Sequence, residues 1–105
     1  MVCALFALAS RAQTDVENVL TMGRLALTYD DYITAIHYFN RGIEARPSMA
    51  EAYFHRADAK ARLEDYDSAI ADLDKAIGLN PFRLEFYELR VMCLGQHRKF
   101  PQAIA

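Results

Sequence analysis

Residues Ser48–Pro81 read SMAEAYFHRADAKARLEDYDSAIADLDKAIGLNP, and the spacing of side chains within this stretch decides the fold. Tyr53, Arg56, Ala57 and Lys60 share one face at helical spacing, the lysine through its aliphatic stem. Ile70, Leu73 and Ile77 continue the pattern in a second helix. Sliding the chain by 34 residues superimposes this unit on its flanks. Glu17, Glu51 and Glu85 coincide, as do Tyr32, Tyr66 and Phe100, Ala35, Ala69 and Ala103, and Ile36, Ile70 and Ile104. The same shift pairs Asp31 with Asp65, Ile43 with Ile77, Pro47 with Pro81, Tyr53 with Tyr87 and Arg56 with Arg90, without a gap.

Each copy therefore reads as two antiparallel helices. In the first copy Val19, Met22, Gly23 and Ala26 form one helical face, and Ile36, Phe39 and Ile43 form the other. Small residues mark close approach: Gly23, Ala57 and Val91 in the first helices, and Ala35, Ala69, Ala103, Gly42 and Ala76 in the second. A bulky side chain at such a place costs about 1–3 kcal/mol by overpacking. Thr14 with Glu17, and Ser48 with Glu51, have the spacing of a capping box at a helix start. Pro47 and Pro81 end second helices, and Pro101 falls in the first turn of a last one. The expected helices are 2–12, 16–28, 31–45, 50–62, 65–78, 84–96 and 100–105, with no strand.

On these residues the chain resembles the tetratricopeptide repeat family. Tyr53, Ala57, Tyr66, Ala69, Leu73, Ala76 and Pro81 stand at the family's characteristic places. The copy before it keeps Gly23, Tyr32, Ala35, Phe39 and Pro47 but has Val19 where an aromatic is usual, Ala26 for Tyr and Gly42 for Ala. The resemblance implies an all-α solenoid of helix hairpins, about six to seven helices in a right-handed superhelix. It divides the chain into an apolar N-terminal helix or cap at 1–15, repeats at 16–49 and 50–83, and a partial third repeat at 84–105.

The resemblance also implies a function: an adaptor or scaffold whose concave groove, lined by the first helices, binds a peptide or protein. The groove residues it indicates are Leu20, Arg24, Thr28, Phe54, His55, Asp58, Arg62, Glu88, Leu89 and Met92. Leu20, Phe54, Leu89 and Met92 are expected to seat apolar side chains, and Arg24 and Arg62 to hold carboxylates. For either arginine taken alone, a solvated helix residue is the better reading. Family members that grip the acidic C-terminus of heat-shock chaperones use Lys, Asn, Asn, Lys and Arg where this chain has Leu20, Arg24, His55, Glu85 and Leu89. Glu85 would repel such a ligand, so a chaperone C-terminus is not the expected partner.

Other classes of function find no pattern. Twelve Lys and Arg against fourteen Asp and Glu give a net charge of -2, without the basic excess that holds nucleic acid. Cys3 and Cys93 stand far apart, which argues for a reduced, cytoplasmic setting over a disulfide framework. His37, His55 and His97 match no metal spacing, and no phosphate loop or nucleophile motif is present, so no metal, cofactor or enzymatic activity is expected. The twelve Tyr and Phe mostly fill repeat-core places such as Tyr32, Phe39, Tyr66 and Phe100. MVCALFALA at residues 1–9 is shorter than a signal peptide or a membrane span needs and is expected to pack through Val2, Leu5, Phe6 and Leu8.

The third copy reaches Ala105 about a turn and a half into its second helix, leaving Leu89, Val91, Cys93 and Leu94 partly uncovered in expectation. Incomplete ends favour self-association, docking into a larger assembly, or a place in a longer array. The alternative to groove binding is accordingly a structural building block that meets its partners through its ends and convex face.

Overall fold

The computed structural model describes the backbone of residues 2–104 and the side chains of residues 15–97. Five helices follow in order, α1 (Val2–Thr28), α2 (Tyr32–Ala45), α3 (Ala50–Arg62), α4 (Tyr66–Leu79) and α5 (Leu84–Ile104), and no strand occurs among the described residues. Each helix packs chiefly on the next one in sequence, while α1 only grazes α3 and α3 only grazes α5. That is the contact order of stacked hairpins, and it leaves the α1–α3–α5 side open.

The turns show why the chain breaks where it does. After α1 the Asp30 N–H bonds Leu27 O and the Asp31 N–H bonds Ala26 O, at 3.0 and 2.9 Å. After α3 the Glu64 N–H bonds Ala61 O and the Asp65 N–H bonds Lys60 O, both at 2.9 Å. Both turns satisfy the last carbonyls through a left-handed residue, Asp30 at φ 59° and Glu64 at φ 64°. Asp31 then starts α2 by accepting from the Thr34 N–H at 3.2 Å. Arg46 and Asn80, each just before a proline, leave the helical region with φ near -145°, at -144° and -146°.

Two expected breaks do not form, so the described residues make five helices rather than six or seven. Residues 2–12 and 16–28 run on as α1, and 84–96 and 100–104 run on as α5. Gln13 stands where Pro47 and Pro81 stop the other copies, and Lys99 stands where Asp31 and Asp65 begin a new helix. Neither residue can do that work: glutamine does not bar the helix, and lysine has no acceptor for a free N–H. Thr14 consequently lies inside α1 and starts nothing. Ser48 does not cap α3 either. The cap position is Met49, with no side-chain bond, because the Met49 N–H turns back to Arg46 O and its own carbonyl receives the Ala52 N–H. The packing expected of Val2, Leu5, Phe6 and Leu8, and of Ala103, lies outside the described side chains.

The core is a line of small residues with a few large ones between them. Val16, Leu20, Ala35, Phe39, Ala52 and Ala59 form one cluster, and Ala57, Ala61, Ala69, Leu73 and Cys93 form another. Tyr53, Ala76 and Phe86 form the third. Gly23 is needed for close approach, since a Cβ there would stand 2.5 Å from Phe39 Cε1. Met22, expected inside, is 44% exposed, because Val16, Leu20 and Gly23 take the inward face. Val91, expected at a close approach, is 69% exposed, because among the described residues 84–96 and 100–104 form one helix, so α5 does not fold back over it. The repeat reappears in contacts. The Tyr53 hydroxyl donates to Pro47 O at 2.9 Å and the Tyr87 hydroxyl to Pro81 O at 2.8 Å. Arg56 donates to Asn40 Oδ1 at 2.9 Å, and Arg90 pairs with Asp74 at 3.0 Å one copy later.

Candidate functional site

A cleft of about 650 Å³ opens at the lower end of the α1–α3–α5 side. Its walls are Leu20, Thr21 and Arg24 of α1, Met49 and Glu51 at the start of α3, and Arg83 ahead of α5. Leu20 forms the floor. It is only 7% exposed, and its Cδ2 lies 3.1 Å from where a Cβ on Gly42 would stand, so it serves the core as well as the cleft.

Charge in the cleft is divided between fixed and available groups. Arg83 donates to Glu51 Oε1 at 2.9 Å and pairs with Glu85 Oε1 at 3.4 Å, and its guanidinium lies 5.5 Å from the Phe86 ring centroid. Glu85's own backbone N–H, and then Arg83, hold its carboxyl below the ordinary range, and the two carboxylates hold Arg83 firmly cationic. Arg24 is exposed, and its guanidinium makes a long 3.4 Å bond to the Thr21 hydroxyl. The Thr28 hydroxyl donates to Arg24 O at 3.1 Å, which ties this threonine to its own helix.

Higher along α3, His55 is half-buried, stacked on Phe39 at 5.6 Å and beside Phe54 at 5.3 Å. Burial, then the nearby Arg24 cation, pushes its pKa below 6.5, so the ring is neutral at pH 7 and keeps one donor and one acceptor. Phe54 is half-buried against Phe86, 5.0 Å away. Asp58 holds Arg62 Nε at 3.2 Å, and the Arg62 guanidinium lies 5.9 Å from the Tyr32 ring centroid. Hydrogen bonding to Tyr32, followed by the charge of Asp58, raises the Arg62 pKa. Leu89 packs partly on the Ala57–Leu73–Cys93 cluster, whereas Glu88 and Met92 are exposed on α5.

The structure thus brings Leu20 and Arg24 into one cleft with His55 near by, sets Asp58 and Arg62 against each other, and leaves Glu88 and Met92 outside the cleft. Sequence reasoning missed Arg83. Its signal was weak, because Met49 and not an arginine stands one copy earlier. Arg83 also alters the argument from Glu85, whose charge it offsets in part. Among the described residues no group of three or more His, Cys, Asp or Glu is placed to hold a metal, and no helix is long and apolar enough to cross a membrane.

Comparison with known proteins adds four findings. The family model described as tetratricopeptide repeat matches residues 20–83. The SGT1 homolog of Oryza sativa subsp. japonica is 38% identical over 74 residues, covering 70% of this chain and 19% of that protein, so the chain spans about a fifth of its length. Among solved structures, the TPR2B domain of yeast Sti1 in its pHsp70 complex superimposes with TM-score 0.79 at 27% identity, over 86% of this chain and 72% of that one. The first TPR of Spaghetti (RPAP3), bound to the HSP90 peptide SRMEEVD, superimposes with TM-score 0.78 at 24% identity, over 84% and 70%. The exclusion of a chaperone C-terminus drawn from the sequence finds no support in these neighbours.

Proposed function

Since the chain belongs to the tetratricopeptide repeat family, we propose that it is a protein–protein interaction module that binds a partner peptide along the α1–α3–α5 side. The observation that carries this reading is the cleft of about 650 Å³ between α1, the start of α3 and the turn from α4 to α5, edged by the exposed Arg24. A groove with an apolar floor at Leu20, a neutral imidazole at His55 and a cation at Arg24 suits an extended segment that offers apolar side chains and a carboxylate. In this reading the hairpins wind as a right-handed superhelix in a cytoplasmic setting, and the chain contributes no chemistry of its own.

The HSP90 peptide SRMEEVD seated on one structural neighbour is the natural first probe. Arg83 offsets Glu85, which removes part of the repulsion that argued against an acidic ligand. Fluorescence anisotropy with labelled SRMEEVD and a panel of apolar–acidic peptides tests the reading. Arg24→Glu is expected to weaken the best binder by at least about tenfold, the worth of one charge-assisted contact. A panel whose binding ignores both Arg24→Glu and Arg62→Glu would remove the groove from the function.

A further inference from the structure

His55 lies on α3, the middle one of the three first helices, between α1 on one side and α5 on the other. Thr21 holds the same place one copy earlier and Leu89 one copy later, so His55 is the titratable member of this row. Phe39 of α2 stacks on its ring at 5.6 Å and 23°, and Phe54 of α3 lies against it at 5.3 Å and 59°. The two phenyl rings shield the imidazole and offer it neither a hydrogen bond nor a countercharge.

The charges that act on this ring are Arg24 of α1, Glu51 and Asp58 of α3, and Arg83 from the turn into α5, while α2 brings the uncharged Phe39. They are not equally engaged. Arg83 pairs with Glu51 at 2.9 Å and with Glu85 at 3.4 Å, and Asp58 pairs with Arg62 at 3.2 Å. Arg24 is exposed on the cleft wall, with the Thr21 hydroxyl at 3.4 Å. Burial, and then Arg24, keep the imidazole neutral at pH 7 in the free protein. A ligand carboxylate drawn to Arg24 offsets the strongest charge that opposes protonation of His55 and supplies an anion of its own. A ligand without a carboxylate does the reverse, since it only adds burial. The protonated ring also has two N–H donors to give, where the neutral ring has one.

On the reading that the α1–α3–α5 side binds a peptide, we propose that His55 selects an acidic segment by taking up a proton from solvent with it. In the complex an imidazolium on α3 and the Arg24 guanidinium on α1 both face the ligand's carboxylate. By linkage, the acidic ligand then binds more tightly as pH falls towards the range where the proton is available, and the gain levels off once the free protein is protonated too.

Fluorescence anisotropy from pH 7.5 to 5.5 tests this, with labelled SRMEEVD beside a counterpart whose Glu and Asp side chains and C-terminus are amides. The peptide's side-chain carboxylates stay largely ionised over that range, so their own titration does not produce a rise. The affinity for SRMEEVD is expected to increase at least about threefold as pH falls, while that for the amide counterpart stays flat or decreases. His55→Gln should remove the increase. A second measurement needs no variant: imidazole proton shifts of the native chain, titrated with and without saturating SRMEEVD. The histidine whose signal is shifted by the Phe39 and Phe54 rings should titrate at higher pH in the complex. Absence of binding at every pH would overturn the groove reading and the proton uptake with it. Binding without a pH trend, a trend shared by the amide counterpart or kept in His55→Gln, or a histidine curve that the peptide does not move would overturn the proton uptake alone.

Discussion

Where the α3/α4 hairpin holds Arg56, Lys60 and Asp72, the α1/α2 hairpin holds Met22, Ala26 and Tyr38, the residues 34 positions earlier. Asp72 is 6% exposed and carries both cations: Arg56 in a fork at 2.6 and 2.8 Å, and Lys60 at 2.9 Å. Lys60 also donates to the Ser68 hydroxyl at 2.7 Å and Arg56 to Asn40 at 2.9 Å, so the donors facing inward are matched. The first hairpin packs without charge at these places, and it sets Gly23 under Phe39 where the second sets Ala57 near Leu73. One backbone plan is thus compatible with an ionic seam or an apolar one. The ionic seam adds geometric specificity more than stability, since desolvation of the charges offsets most of their attraction.

The largest expected effect comes from breaking that seam. Asp72→Ala leaves two nearly buried cations without their carboxylate and should cost about 3 kcal/mol, read as a fall in the thermal midpoint on the order of 15 °C. Converting the whole seam to the first hairpin's set, with Arg56→Met, Lys60→Ala and Asp72→Tyr together, should return most of that loss. A triple variant no more stable than Asp72→Ala would mean that the two hairpins are not interchangeable in this way.

Next in size is the close approach in the first hairpin. Gly23→Ala drives a methyl to within 2.9 Å of three Phe39 ring carbons and should cost about 2 kcal/mol by denaturant unfolding. Adding Phe39→Leu, the residue the second hairpin uses, should recover stability. Then come the helix starts. Asp31→Ala removes a cap bond and should cost about 1 kcal/mol, whereas Asp65→Ala should cost less, as Asp65 caps α4 with no side-chain bond.

The smallest difference is in pH response. The second hairpin has His55 where the first has Thr21. Burial and Arg24 lower the His55 pKa in the folded chain, with Arg83 adding to that and Glu51 and Asp58 opposing it. The unfolded chain therefore takes up the proton first. Stability should be level above about pH 6.5 and decline as pH falls from there through the lower folded pKa. His55→Gln should flatten that part of the curve in midpoints measured from pH 7.5 to 5.5, and an unchanged slope would assign it to other groups.

Much of the fold was legible because its signals are local. Pro47 and Pro81 stop helices through the backbone of the preceding residue, and Asp31 starts one through an oxygen three residues from the N–H it accepts. The same chemistry, correctly applied, also forecasts continuity at Gln13 and Lys99, where the period alone suggested breaks. Ser48 was misread because a capping box states a spacing and not which residue the turn places at the helix start. The site was less legible. Leu20 and Phe54 stand at equivalent places, yet Leu20 sinks to the cleft floor beside Gly42 while Phe54 lies half-buried on Phe86.

The sequence by itself determined the 34-residue period, the helical hairpins and the turns between them, because each depends on neighbours within a few residues. Only the tertiary structure decided that Arg83 reaches Glu51 thirty-two residues away and that Asp72 gathers two cations. These depend on the separation and rotation of packed helices, and helices turned by a fraction of a turn would carry the same local pattern with different partners.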